Sequence, residues 1–242
     1  GGIGADPGTY AEYTVMNERV AAVKPASLDF AQAAAAPLVL ITAWESLHDR
    51  AQIIDGQDVL IHAGAGGVGH MAVQLAKAAG CRVITTVGSA EKAEFAKRMG
   101  ADETLLYKKQ DFAQAVLDWT EGEGVDMAFD TVGGSIFDQT FRAVRRYGKI
   151  VTLLQPGPET DWRQARLRNL QISLELMLSP MYMGWEDALQ HQGWILEQCA
   201  GLFDREELNV HVSHALPLEQ APEAHRLIEA GGMIGKVVLT ID

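Results

Sequence analysis

Three glycines, Gly64, Gly66 and Gly69, stand at the spacing G-x-G-x-x-G directly after the apolar run Asp58-Val-Leu-Ile-His. The chemistry this spacing serves is the holding of a nucleotide pyrophosphate. The first glycine permits a tight turn, the second lets phosphate approach bare backbone, and the third lets helix and strand pack closely. A helix opening at such a turn adds unpaired N–H groups and the positive end of its dipole. The spacing alone is weak, since a turn used only for packing would satisfy it. Its surroundings favour the anion site. Val68, Met71, Ala72, Leu75, Ala76 and Ala79 recur at helical spacing, with His70, Gln74 and Lys77 expected on the opposite face. Gly80 stops the helix and Arg82-Val-Ile-Thr-Thr-Val supplies a second strand, completing a strand–turn–helix–strand unit within ~30 residues.

The end of that second strand bears on which nucleotide is held. An NAD site usually places Asp or Glu there, about 20 residues after the glycine turn, to bind the ribose 2′-hydroxyl. This chain has Val87-Gly-Ser-Ala-Glu-Lys instead. Ser89 can donate a hydrogen bond at a helix N-terminus, and Lys92 lies one turn in. A cation ~4 Å from a phosphate gains a gross ~4 kcal/mol at an effective dielectric of ~20. Solvent reduces this greatly, yet ~1.4 kcal/mol already gives tenfold selectivity. NADP(H) is expected over NAD(H), with Lys92 as an ordinary solvated helix lysine the competing reading.

The elements that must position these groups follow by periodicity. Residues up to about Pro25 alternate in the manner of strands, and the start Gly1-Gly-Ile-Gly-Ala-Asp-Pro-Gly resembles a loop, so further sequence is expected ahead of it. Ser27 is expected to cap a helix through the alanine run, Pro37 to interrupt it, and Ile41 to Ile53 to form another. Beyond the glycine turn, helices beginning near Ser89, Phe112 and Ile136 alternate with strands at Glu103–Tyr107, Val125–Asp130, Lys149–Leu154 and Ile172–Leu178. Six strands in such alternation predict a doubly wound parallel sheet of the α/β class, with ligand at the carboxyl ends of its strands.

Composition narrows the partners. The 242 residues, 48% of them hydrophobic, suffice for one or two domains with a sizeable core. A net charge of −12 argues against nucleic acid as a partner, because counterion release needs clustered Lys and Arg. No apolar run approaches the ~20 residues of a membrane span. Two cysteines, Cys81 and Cys199, suit a reducing compartment, so a cytoplasmic protein is expected.

Ala63-Gly-Ala-Gly-Gly-Val-Gly, Ala72-Val-Gln-Leu-Ala-Lys-Ala-Ala-Gly, Gly88-Ser-Ala-Glu-Lys, Asp130-Thr-Val-Gly-Gly and Gly235-Lys-Val-Val-Leu together resemble the quinone oxidoreductase branch of the medium-chain dehydrogenase/reductases. The likeness covers essentially the whole chain, and Gly8-Thr-Tyr-Ala-Glu-Tyr is similar to the end of that family's N-terminal domain. It implies a Rossmann NADP-binding domain over 26–206, with a remnant of a GroES-like, mainly β catalytic domain over 1–25 and a return to that domain over 207–242. It implies that Thr42 lies near the nicotinamide and that Gly64, Ala65, Gly66, Gly67, Val68 and Gly69 meet the pyrophosphate. Gly88, Ser89 and Lys92 would face the adenosine ribose and its 2′-phosphate, with Tyr107 beside them. Thr131, Val132 and Leu153 would line the nicotinamide side, and Lys236 the cofactor's outer edge.

In alcohol dehydrogenase relatives a zinc ion polarises the substrate oxygen. The segment that carries a cysteine ligand in those enzymes reads Pro37-Leu-Val-Leu-Ile-Thr here, so no metal is expected. His211 and His214 are expected on opposite faces of a strand, as surface or packing residues. The resemblance then implies NADPH-dependent, zinc-independent reduction of a small quinone or α,β-unsaturated carbonyl compound. No catalytic acid is assigned; Tyr10 and Tyr13 lie close to the region that holds the family's donors. Reduction of an enoyl thioester, or nucleotide binding without catalysis, remains open, while a methyltransferase is disfavoured by the missing acid after the second strand. The apolar strand Ile172–Leu178 resembles an edge that pairs across a homodimer, since an open apolar edge invites association.

Overall fold

Strands and helices alternate through the middle of the chain in the order that the hydrophobic pattern predicts. The computed structural model describes residues 8–241. After α1 (Phe30–Ala35), α2 (Pro37–Trp44) and a π-helical turn over Glu45–Arg50 come β1 (Asp58–Ile61), α3 (Gly67–Ala78), β2 (Arg82–Val87), α4 (Ala90–Arg98) and β3 (Glu103–Leu106). Then follow α5 (Phe112–Trp119), β4 (Val125–Asp130), α6 (Ser135–Ala143), β5 (Val144–Thr152), α7 (Trp162–Leu167) and β6 (Gln171–Leu174). The chain continues through α8 (Ser179–Met183), α9 (Glu186–Asp204), β7 (Val212–Pro217), α10 (Ala221–Ala230) and β8 (Lys236–Thr240).

Residues 42–176 form one unit, and the chain on either side, to 41 and from 177, forms a second. The first unit is a six-stranded sheet in the order β3-β2-β1-β4-β5-β6, parallel at every pairing. Strand order reverses between β1 and β4, which opens a crevice at their carboxyl ends. Both faces of the sheet are covered, so its strands are continuous apolar runs, and Val59, Leu60 and Ile61 are wholly buried. Leu60, Ile84, Ala128 and Ile150 of four strands join Phe137 and Phe141 of α6 in one core cluster.

Helix α3 departs from its expected amphipathic pattern. His70 and Gln74, expected on a polar face, are buried, because this helix is enclosed over eight consecutive positions, 69–76. Their polarity is absorbed locally: His70 Nδ1 lies 2.9 Å from the Gly66 carbonyl and Gln74 Nε2 donates to the His70 carbonyl at 2.8 Å. Only Lys77 reaches outward, to Asp102 at 2.8 Å.

In the second unit α1 packs on β7 and β8, which pair in parallel, and α9 packs on a 3₁₀ turn at Glu18–Val20. The described part of the first 25 residues is extended at Asn17 and Ala21 but forms no strand, because alternation supplies an extended backbone and not the partner a ladder needs. The cap of α1 is Asp29, not Ser27. Asp29 and Gln32 make a reciprocal capping box, whereas the Ser27 amide donates to Asp204. Pro37 opens α2 at its first position, where its missing N–H costs nothing. His211 precedes β7, and His214 lies beyond a register shift in it. Among the described residues no group of three His, Cys, Asp or Glu could hold a metal ion, and no helix is long and apolar enough to cross a membrane.

Candidate functional site

The glycine turn is shaped by close contacts that glycine alone permits. A Cβ at Gly64 would lie 2.1 Å from Thr85 Oγ1, and one at Gly69 would lie 2.2 Å from the Ala63 carbonyl oxygen. Gly69 therefore lets α3 settle onto the end of β1. At Gly66 a Cβ would stand 3.2 Å from that carbonyl, over the mouth of the turn. Gly66 is the N-cap of α3 and no side chain caps the helix. Its first N–H groups are thus presented with the dipole to an anion, which is the fit a pyrophosphate requires. Ala65 is buried beneath the turn, and Gly67 and Val68 start the helix half-buried. Ala63 adopts a left-handed conformation (φ 54°), turning its carbonyl to accept the Gly66 amide at 2.8 Å.

At the end of β2 the structure brings Gly88 and Tyr107 together. The Tyr107 amide donates to the Val87 carbonyl at 3.3 Å, and its hydroxyl would stand 3.4 Å from a Cβ at Gly88. Ser89 is the N-cap of α4 and accepts the Lys92 amide at 3.3 Å, which leaves its own O–H to donate elsewhere. Lys92, half-buried in the first turn of α4, stands on the same strand end. No acidic side chain lies between Val87 and Ser89.

The other end of the crevice is built around His62 and Asp130. His62 Nδ1 lies 3.0 Å from Thr86 Oγ1, and Nε2 lies 2.9 Å from Thr140 Oγ1. Thr140 spends its proton on the Ile136 carbonyl, so it accepts from Nε2–H, and Thr86, which accepts the Ala63 amide, donates to Nδ1. This arrangement needs a neutral ring. Burial lowers the His62 pKa to about 4 against an opposing pull from Asp130. The histidine thus ties the glycine turn to β2 and α6.

Asp130, wholly buried, accepts the Val132 and Gly133 amides at 3.0 and 2.9 Å and the Thr152 hydroxyl at 2.8 Å. Its backbone carbonyl accepts the Leu153 amide at 3.1 Å. One carboxylate therefore sets the loops after β4 and β5, leaving the Val132 side chain exposed. Thr131 donates to the His62 carbonyl at 2.9 Å, so its hydroxyl closes the β1–β4 junction.

Thr42 is buried in α2, and its carbonyl accepts the Ser46 hydroxyl at 2.7 Å. Lys236 belongs to the other unit, where its amide donates to the His211 carbonyl at 2.9 Å and desolvation lowers its ammonium pKa. Tyr10 lies 3.3 Å from His225 Nε2 in that same unit. Sequence reasoning missed His62, Thr86, Asp130, Thr140 and Thr152 as organisers of the crevice. A signal was available at Asp130 and Thr152, polar residues that close the apolar runs Met127–Phe129 and Ile150–Val151 and would have to be hydrogen-bonded inside.

Comparison with known proteins follows the same lines. A family model described as zinc-binding dehydrogenase matches residues 99–239. Over 233 residues the chain is 31% identical to the quinone oxidoreductase of Pseudomonas aeruginosa, covering 96% of this chain and 71% of that protein. It is 32% identical over 249 aligned positions to a hybrid PKS-NRPS synthetase of Aspergillus niger, covering 96% of this chain but 6% of that protein. A mycobacterial protein solved in complex with NADPH superposes with a TM-score of 0.80 at 30% identity, covering 89% of this chain and 66% of that one.

Proposed function

From the premise that the chain belongs to the medium-chain dehydrogenase/reductase superfamily, with a quinone oxidoreductase among its relatives, we propose that it is an NADPH-dependent, zinc-independent oxidoreductase acting on quinones or α,β-unsaturated carbonyl compounds. The observation that carries the cofactor half is the uncapped N-terminus of α3 behind a glycine turn that any Cβ would fill, with Ser89 and Lys92 at the adjoining strand end.

Bound NADPH supplies the hydride. The chain's own residues hold and orient. Gly64 to Gly69 take the pyrophosphate, Lys92 and Ser89 the 2′-phosphate, Gly88 and Tyr107 the adenosine ribose, and Thr131, Val132 and Leu153 the nicotinamide end, with Thr42 facing it. Positioning of this kind is the protein's main contribution to cofactor-borne chemistry. Leu38 stands where zinc-dependent relatives need a thiolate, which supports a zinc-independent reaction. We assign residues 26–206 to the nucleotide domain, and 1–25 and 207–242 to a GroES-like domain, with Lys236 reaching the cofactor's edge. β6 is an edge strand with an exposed Leu174, suited to pairing in a homodimer, and the two buried cysteines suit the cytoplasm.

A second reading, reduction of an enoyl thioester, draws on the match to the fungal synthetase. NADPH oxidation followed at its nicotinamide absorbance, with a quinone, an enone and an enoyl thioester offered in turn, separates the two by which acceptor turns over. Binding of NADPH with no turnover of any acceptor would refute both.

A further inference from the structure

We propose that the buried Asp130 carboxylate favours the oxidised cofactor over the reduced one, and so makes bound NADPH a stronger hydride donor. This rests on the cofactor reading above, in which Thr131, Val132 and Leu153 line the nicotinamide end. It adds to that reading an unpaired charge and the direction of its effect.

Passing hydride, with its electron pair, to a quinone or enone turns the neutral reduced ring into one with a single positive charge. A fixed negative charge beside the ring therefore stabilises the cofactor after the transfer more than before it. The same preference shows in binding, as tighter association of NADP+ than of NADPH. The glycine turn, Ser89 and Lys92 would meet parts of the nucleotide that are identical in the two forms.

Asp130 is placed to supply that charge. Its side chain is wholly buried at the carboxyl end of β4. Oδ1 accepts the Val132 and Gly133 amides and Oδ2 the Thr152 hydroxyl, so both oxygens face donors and the carboxyl is held as the anion. Its backbone carbonyl takes the Leu153 amide. Gly133, left-handed at φ 74°, lies so close to Leu154 that a Cβ there would stand 2.7 Å from Leu154 Cδ1. The loops after β4 and β5 thus meet as one wall, with the carboxylate buried at its root.

Among the described residues no cation pairs with this carboxylate. Asp130 pulls the His62 pKa upward, but burial outweighs the pull and holds it at about 4, with Nδ1 accepting from Thr86. Arg142 of α6 is engaged with Asp111, Arg145 of β5 with Asp126, and Lys149 of β5 with the Ala51 carbonyl, while Arg146 of β5 is exposed. The hydrogen bonds to Asp130 offset its burial with dipoles, and dipoles leave the net charge in place.

The test measures dissociation constants of NADP+ and NADPH by calorimetric titration of the parent, Asp130→Asn and Thr152→Val. In Asp130→Asn the remaining oxygen still accepts the two amides. The new amide donates to Thr152 Oγ1, whose own proton turns to the Leu154 carbonyl 3.2 Å away. The wall keeps its shape and loses its charge. Thr152→Val does the reverse, removing one hydrogen bond and keeping the carboxylate. At an effective dielectric of ~20, unit charges ~10 Å apart are worth roughly a tenfold preference. The parent should bind NADP+ more tightly than NADPH. Asp130→Asn should weaken NADP+ roughly tenfold relative to NADPH, and Thr152→Val should leave the ratio within about twofold of the parent's. An unchanged ratio in Asp130→Asn, or an equal change in Thr152→Val, would overturn the inference and leave the cofactor reading standing. So would a preference for NADPH in the parent, a result that needs no variant to fold. A parent that binds neither nucleotide would overturn both.

Discussion

Replacing Gly69 and Gly66 in turn by alanine should separate packing from ligand contact within one turn. A Cβ at Gly69 would fall 2.2 Å from the Ala63 carbonyl oxygen and 2.8 Å from both the Ala63 carbonyl carbon and Gly64 Cα. These are backbone atoms of the turn itself, so no rotamer change relieves the overlap. α3 must move off β1 by more than an ångström or the turn must unwind. Overpacking of well-packed sites typically costs 1–3 kcal/mol, and a rigid backbone obstacle places Gly69→Ala near the top, at about 3 kcal/mol. For a chain of this size a loss of 1 kcal/mol lowers the melting temperature by about 2–4 °C, so the expected drop is roughly 6–12 °C. Gly66→Ala meets only one atom, at 3.2 Å, and Gly66 has an ordinary extended conformation (φ −80°, ψ 179°) that alanine adopts freely. It should melt within about 2 °C of the parent. Yet its methyl projects where phosphate oxygens would approach, so NADPH affinity should fall by at least about tenfold. Calorimetric melting without nucleotide, paired with fluorescence titration of NADPH, measures both. If Gly69→Ala melts within about 2 °C of the parent, the close-approach argument is wrong.

The neutral His62 gives a pH effect of known sign. Its folded pKa of about 4 lies below the ordinary 6.5, so the unfolded chain binds the extra proton between those values. Stability is then full above about pH 6.5 and lost as pH falls toward 4, by about 3 kcal/mol in all; an acid melting series on Thr86→Val/Thr140→Val/His62→Phe should lack this limb. Thr140→Val alone strands the Nε2–H and should cost about 1–3 kcal/mol in denaturant unfolding. Lys92→Ala should weaken NADPH about tenfold while leaving NADH within twofold, by parallel titrations; equal losses would remove Lys92 from the 2′-phosphate. Burial pushes the Cys81 and Cys199 thiols up to about 11 and about 12, so neither should react with a thiol reagent near neutral pH until the protein unfolds.

How much of this was legible in the sequence depended on the range of the interactions. β2 and β4 run over the residues their apolar runs mark, Arg82–Val87 and Val125–Asp130, because burial on both faces leaves an unbroken local signal. β5 begins five residues before the expected Lys149, at Val144, because a pairing of Val144 with Val125 lies beyond an irregular stretch in which Tyr147 turns left-handed (φ 60°) and the register with β4 shifts. β6 stops at Leu174 rather than Leu178, where its neighbour β5 has ended. The glycine turn, the Ser89 cap and the strand ends were readable because each is a local backbone requirement. The enclosed flank of α3 was not, since a polar side chain bonded to its own helix looks in sequence like one facing water. Nor were the bonds of Asp130 to Thr152 and of His62 to Thr86 and Thr140, whose partners stand 22 to 78 positions away.

The junction of β1 with β4 also has a kinetic meaning. β1, β2 and β3 pair between segments some twenty residues apart, but β1 meets β4 through Val59 and Met127, and the seam is closed by His62 donating to the Phe129 carbonyl and Thr131 to the His62 carbonyl. Pairings of such separation carry the larger loop-closure cost and slow the approach to the native state. The half containing the glycine turn can therefore form early, while the crevice exists only once β4 has docked beside it. Nucleotide that spans the crevice recognises the finished seam, so its presence should slow unfolding more than it speeds folding.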